Sequence, residues 1–177
     1  MRNFQKPGKS TIYSTKGMVA TSHPIASSVG LDILKKGGNA VDAAIAMAFV
    51  LPICEPQSTG LFGDVFAMIK PNNSENIIGL NGSGRAPLNV TSKLLKAKNF
   101  SVIPEDAVET ITMPGAVAAL ESLNKKFSKM NLDRLIEPAI SYAQNGIIVS
   151  PRVAFDWKYS YKNLKGIAKD YYLINGK

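Results

Sequence analysis

Residues 17–66 read GMVATSHPIASSVGLDILKKGGNAVDAAIAMAFVLPICEPQSTGLFGDVF, and their local signals decide the fold. Gly17-Met18-Val19-Ala20 is short, apolar and strand-like. Ser22 or His23 then precedes Pro24, and proline suits a first helical position because its missing N–H would have no intrahelical partner there. Ile25, Val29, Ile33 and Leu34 recur at helical spacing. Lys35-Lys36 complement the macrodipole in the last turn, and Gly37-Gly38 stop the helix. Asn39 is a good N-cap for a second helix, with Asp42 placed for a capping-box-like role. That helix, Ala40 to about Leu51, is apolar nearly all round, which predicts burial on most sides. A loop, Pro56 to Gly63, leads into a strand, Val65 to Ile69.

Outward from this stretch, residues 1–16 read as an irregular lead-in broken at Pro7-Gly8. On the other side, a turn at Pro71–Glu75 and a returning strand at Asn76–Leu80 predict a hairpin. Thr91–Lys98 predicts a short basic helix. Ala116–Phe127 predicts a longer one with Val117, Leu120 and Leu123 on one face. Leu132–Asn145 predicts another, interrupted or started at Pro138 and closing on Asn145-Gly146. Ser150-Pro151 introduces a last helical run carrying Trp157, Tyr159 and Tyr161, which reads as packing rather than a binding face. The pattern is a single α/β or α+β domain over residues 17–177, and no internal repeat is visible. Leu173 to Lys177 stops as if within an element, so the domain is expected to be incomplete in this chain.

Composition narrows the function. With 177 residues, 45% hydrophobic and 19% charged, the chain suits one globular core. Its net charge of +8 comes from scattered lysines such as Lys35-Lys36 and Lys125-Lys126, without the aromatic interleaving of a nucleic-acid surface. A solvated basic face is expected; a basic nucleic-acid module would instead show steep salt dependence. The single cysteine, Cys54, excludes an internal disulfide and a cysteine-rich zinc site and reads as a buried small hydrophobe. The single histidine, His23, argues against a histidine-based metal site, and nothing pairs it with Cys54. No metal or cofactor is expected. The basic N-terminus lacks the apolar core of a signal peptide, and Ala43–Ile53 is too short to cross a bilayer. The expectation is a cytoplasmic protein with no nucleic-acid or membrane partner.

Two places carry candidate chemistry. Gly60-Leu61-Phe62-Gly63 lacks the Lys-Ser/Thr ending of a phosphate loop and follows a helix rather than a strand, so nucleotide binding is rejected; Asp64 beside it reads as a capping or turn carboxylate, with a functional role as the alternative. Asn81-Gly82-Ser83-Gly84-Arg85-Ala86-Pro87 is unusual for a strand exit. A hydroxyl, backbone N–H groups and a guanidinium converge within a few residues, and arginine is suited to bidentate capture of a carboxylate. Ser83 and Arg85 are therefore the candidate substrate-binding residues, the alternative being an arginine paired to a core carboxylate or to carbonyls.

The run GMVATSHP (17–24), GGNAVDAA (37–44), EPQSTG (55–60), GSGRAP (82–87), MPGAVAAL (113–120) and LIEPAISYAQNGIIVSP (135–151) resembles the gamma-glutamyltranspeptidase family. The resemblance implies an N-terminal-nucleophile hydrolase, a four-layer αββα sandwich made as a proenzyme that cuts itself into large and small subunits. It implies acyl transfer from a small amide or gamma-glutamyl substrate, such as glutathione, to water or an amine. The covalent acyl-enzyme would form on a threonine whose own amine is the base. This chain matches the early part of the large subunit, and no Thr-Thr-His or Asp-Thr-Thr processing site occurs in it. The resemblance thus implies no catalytic residue here, no activity of the chain alone, and a small subunit or C-terminal segment that supplies the threonine. Family members acting on gamma-glutamyl compounds carry Asp-Gly-Arg-Glu-x-Ala-Pro at the second strand's exit. Anchored on Ala86-Pro87, that arginine's position is Ser83 here, with Arg85 two residues later, where a strand's period of two would return it to the same side. Gly63-Asp64-Val65-Phe66 with GSGRAP resembles the family's acylase and amidohydrolase branch. The competing reading is a non-catalytic scaffold or pseudoenzyme chain that binds a partner subunit.

Overall fold

The computed structural model describes residues 11–105 and 107–174. Helix α1 (Pro24–Lys35) and helix α2 (Ala40–Cys54) pack against each other across the Gly37-Gly38 hinge. The N-cap of α1 is His23, whose side chain accepts from the Ile25 N–H, with Pro24 at the first helical position. The capping box of α2 is complete: the Asn39 side chain accepts from Val41 N and Asp42 N, each at 2.9 Å, and Asp42 Oδ2 accepts from Asn39 N at 2.7 Å.

Helix α2 is the centre of the core. Ala43, Ile45, Ala46, Phe49, Val50 and Cys54 are buried on it, against Ala26 and Ile33 of α1. It runs three residues beyond the predicted end, through Pro52, to Cys54. A proline four residues after Ala48 removes one helical hydrogen bond, and the burial of Val50 and Cys54 holds the last turn in place despite it.

Strand β1 (Val65–Ile69) pairs antiparallel with β2 (Ile78–Gly82) in the register Val65↔Gly82, Ala67↔Leu80, Ile69↔Ile78. The return strand thus starts two residues later than predicted, so Asn81 and Gly82 belong to the ladder. Ala67, Ile69 and Leu80 face the helical core, whereas Phe66 and Met68 on the other face stand in solvent. The predicted strand at Gly17–Ala20 does not form among the described residues; that segment pairs with neither strand, although Val19 packs on the core.

After the hairpin come α3 (Ser92–Ala97, capped by Thr91), a one-turn 3-10 segment (Val108–Thr110), α4 (Ala116–Phe127) and α5 (Leu132–Asn145). The buried face of α4 is Ala116, Ala119, Leu120 and Leu123; Val117, expected with them, is largely exposed because it lies one position off that stripe. Helix α5 neither breaks nor starts at Pro138, and it ends at Gly146 with φ +77°, a left-handed conformation glycine adopts freely. Both α4 and α5 pack on α2, and α4 also meets the hairpin. Leu135 of α5 is fully buried. Helix α6 (Pro151–Ser160), a 3-10 turn (Tyr161–Asn163) and α7 (Ala168–Tyr172) follow, with the Trp157 and Tyr172 rings 5.7 Å apart and Tyr159 exposed. The result is one layer of helices on one face of a β-hairpin. Residues 1–10, most of the expected lead-in, and 175–177, at the expected stop, lie outside the described residues.

Candidate functional site

Three glycine-containing segments that are far apart in sequence meet at the end of β2. The first is Gly63-Asp64, which opens β1; the second is Gly82 to Arg85, which leaves β2; the third is Thr112 to Ala116, which opens α4. The Gly63 carbonyl accepts from both Gly115 N at 3.1 Å and Ala116 N at 2.9 Å, so two of the amides that α4 cannot pair internally are satisfied. The Arg85 carbonyl accepts from Met113 N at 2.9 Å. One Asp64 oxygen, Oδ1, accepts from Gly84 N at 2.7 Å and from the Thr112 hydroxyl at 3.2 Å. The short first distance fits a charge-assisted bond.

The crossing is too close for side chains. A Cβ on Gly84 would stand 1.6 Å from the Met113 carbonyl oxygen, and one on Gly115 would stand 2.3 Å from the Gly82 carbonyl oxygen. Both obstacles are backbone, so neither can swing away.

Ser83 and Arg85 both sit at this crossing, exposed, with half-buried Gly84 between them. Ser83 N donates to Asn81 Oδ1 at 2.9 Å, an Asx turn that ends the strand. The period-two argument for Arg85 does not apply, because β2 ends at Gly82 and residues 83–85 are irregular. Their orientation is set by the bonds to Asp64 and Met113 instead. Ser83 lines a shallow cavity of about 270 Å³ with Asn81, Gly82, Gly115, Ala119 and Ser122; Arg85 stands outside that lining. Among the described residues the Arg85 guanidinium has no hydrogen-bonding or ion-pair partner. Asp64 is the turn carboxylate the sequence suggested, but its partners Gly84 and Thr112 were not visible there. The only hint was the recurrence of glycine at 63, 82, 84 and 115.

Burial pushes the Cys54 thiol above its ordinary range, and the Glu55 charge adds to the effect. A thiol held neutral in this way is a poor nucleophile. His23 Nδ1 caps α1 while its buried Nε2 has no hydrogen-bonding partner among the described residues, and Ser22 donates a hydrogen bond to buried Glu55. No group of three or more His, Cys, Asp or Glu among the described residues is arranged to hold a metal ion. No helix among them is long and apolar enough to cross a membrane.

A helical layer on a β-hairpin, with glycine segments crossing at the strand end, is part of the αββα architecture of the N-terminal-nucleophile hydrolases. The chain superimposes on the crystal structure of Helicobacter pylori gamma-glutamyltranspeptidase with a TM-score of 0.85 at 34% identity, covering 94% of this chain and 49% of that one. It superimposes on cephalosporin acylase from Bacillus halodurans with a TM-score of 0.76 at 40% identity, covering 89% of this chain and 31% of that one. The family model for gamma-glutamyltranspeptidase matches residues 26–177, and the chain belongs to that family. A curated relative, the glutathione hydrolase-like YwrD proenzyme of Bacillus subtilis, is 38% identical over 163 residues, which is 92% of this chain and 30% of the relative. The chain therefore spans less than a third of the length of the curated relatives it matches.

Proposed function

We propose that the chain is the N-terminal portion of the large subunit of a gamma-glutamyltranspeptidase-like acyltransferase or amidohydrolase. The acyl group, gamma-glutamyl or related, passes through a covalent acyl-threonine to water or to an amine. The threonine lies outside these 177 residues, on a small subunit or C-terminal segment that autoprocessing would release. Within the chain, Arg85 receives the substrate carboxylate and Ser83 lines the approach to it. The observation that carries this reading is the exposed guanidinium of Arg85, unpartnered among the described residues, on a strand exit fixed by three segments. The offset of Arg85 from the position of the family's arginine, together with similarity to both a glutathione hydrolase-like proenzyme and a cephalosporin acylase, favours acyl groups other than strict gamma-glutamyl.

The test is kinetic. The chain alone is expected to release no product from gamma-glutamyl-p-nitroanilide or from glutaryl-p-nitroanilide. Assembled with a threonine-led segment it is expected to hydrolyse the glutaryl amide at least as well as the gamma-glutamyl one. Arg85→Ala in that assembly is expected to raise KM about tenfold or more, the loss of a charged hydrogen bond, with little change in kcat. Activity of the isolated chain would sink the reading of its role, and an unchanged KM in the variant would sink the assignment of Arg85.

A further inference from the structure

We infer that Asp64 is a positioning residue for substrate binding: its carboxylate fixes the Ser83–Arg85 segment and so the direction in which Arg85 presents its guanidinium. The inference rests on the reading of Arg85 as the carboxylate-binding residue and adds to it the group that sets its geometry.

Three observations carry it. Asp64 Oδ1 holds Gly84 N at 2.7 Å and the Thr112 hydroxyl at 3.2 Å, so one oxygen ties the residue before Arg85 to the residue before Met113. Met113 N in turn donates to the Arg85 carbonyl at 2.9 Å. The backbone of residue 85 is thereby held on both sides, by Asp64 through Gly84 and by Met113 directly. Gly84 carries no side chain, the space a Cβ would take is filled by the Met113 carbonyl, and the other bond at this residue, from the Ser83 hydroxyl to its carbonyl, is long at 3.4 Å, so the Asp64 tie is the short one. Asp64 itself is exposed and lies outside the hydrophobic core, so the carboxylate contributes little burial. Its position immediately before β1 is constrained from behind, because the carbonyl of its neighbour Gly63 caps α4. The arrangement is a rigid relay from the start of α4 to one side chain. A backbone rotation of a few tens of degrees at Gly84 would swing a side chain as long as arginine by several ångströms. A productive carboxylate contact tolerates about 0.5 Å.

The experiment uses the 15N-labelled chain with glutarate as the carboxylate probe, and the variants Asp64→Ala, Asp64→Asn and Arg85→Ala. Three quantities are read: hydrogen exchange of the Gly84 amide, the glutarate Kd from shifts at residues 83–85, and Tm. Asp64→Ala is expected to speed Gly84 exchange and weaken glutarate binding, each about tenfold or more. Asp64→Asn keeps a carbonyl acceptor and is expected to restore most of both. Tm is expected to change little in either variant. A Tm loss with unchanged Kd would mark a merely structural residue and overturn the inference, as would Gly84 exchange in Asp64→Ala equal to that of the parent. Glutarate binding that is absent in the parent, or unaffected by Arg85→Ala, would overturn the reading of Arg85 on which the inference depends. Altered Gly84 exchange in that same experiment would show that the Asp64 tie itself exists, so the two failures are told apart.

Discussion

Asp42 shows how much one side chain can hold. It is fully buried, and its two oxygens accept from Asn39 N at 2.7 Å and from Lys129 N and Met130 N at 3.2 Å. It therefore starts α2 and also fastens the turn between α4 and α5 to that start. Asp42→Ala is expected to cost about 3 kcal/mol or more, because several backbone donors lose their acceptor at once; urea denaturation measures it. The capping box was legible in the sequence from Asn39 and Asp42. The second task of Asp42 was not, since the donors it serves lie 87 and 88 residues away. At Cys54 the expectation and the structure agree. The thiol is buried and its pKa is raised, so the folded chain should resist iodoacetamide at neutral pH and react only when unfolded. The sign for stability follows: a raised pKa leaves this group's contribution intact below the unfolded thiol's value and removes it as pH climbs toward the folded one. Denaturation above pH 9 should therefore be easier in the parent than in Cys54→Ala, relative to neutral pH.

At the scale of elements, the crossing of β2 and the start of α4 is the least tolerant place in the fold. Gly84→Ala places a Cβ within 1.6 Å of a backbone oxygen, whereas a Cβ on Gly60 would meet nothing within 4 Å. The first substitution is expected to cost about 3 kcal/mol or more and the second to stay near neutral, by urea midpoints. Helices were well read from sequence because their signals are local: caps, spacing and glycine stops gave the start of α2 and both ends of α4. Several of the errors share one cause. The end of α2, the start of β2 and the unformed strand at 17–20 all depend on what packs or pairs from elsewhere in the chain, whereas Val117 was placed one position off the buried stripe of its own helix. The candidate site was legible in the same partial way. Its residues Ser83 and Arg85 were named from composition, but the Asp64 and Thr112 contacts that fix them are tertiary. A further link joins α3 to the 3-10 segment, where the hydrogen bond from Lys98 holds the Glu109 carboxyl below the usual carboxylate range. Its stabilising effect is present above the unfolded carboxylate value and is lost as pH falls through the folded one. The stability gap between the parent and Glu109→Gln should accordingly close as pH drops from 7 toward 3.

At the scale of the molecule, the helical layer covers one face of the hairpin only. Ala67, Ile69 and Leu80 are packed beneath it, while Phe66 and Met68 remain 68% and 78% exposed on the other face. Both strands also have an unpaired edge among the described residues. That half-dressed hairpin governs how the polypeptide will behave in a test tube. A bare sheet edge beside an oily face recruits its own kind, so light scattering should rise with concentration well below the denaturation temperature. Replacing Phe66 and Met68 with lysine should suppress the scattering without shifting the melting curve, which would make storage life a property of two surface side chains and leave fold stability to the core.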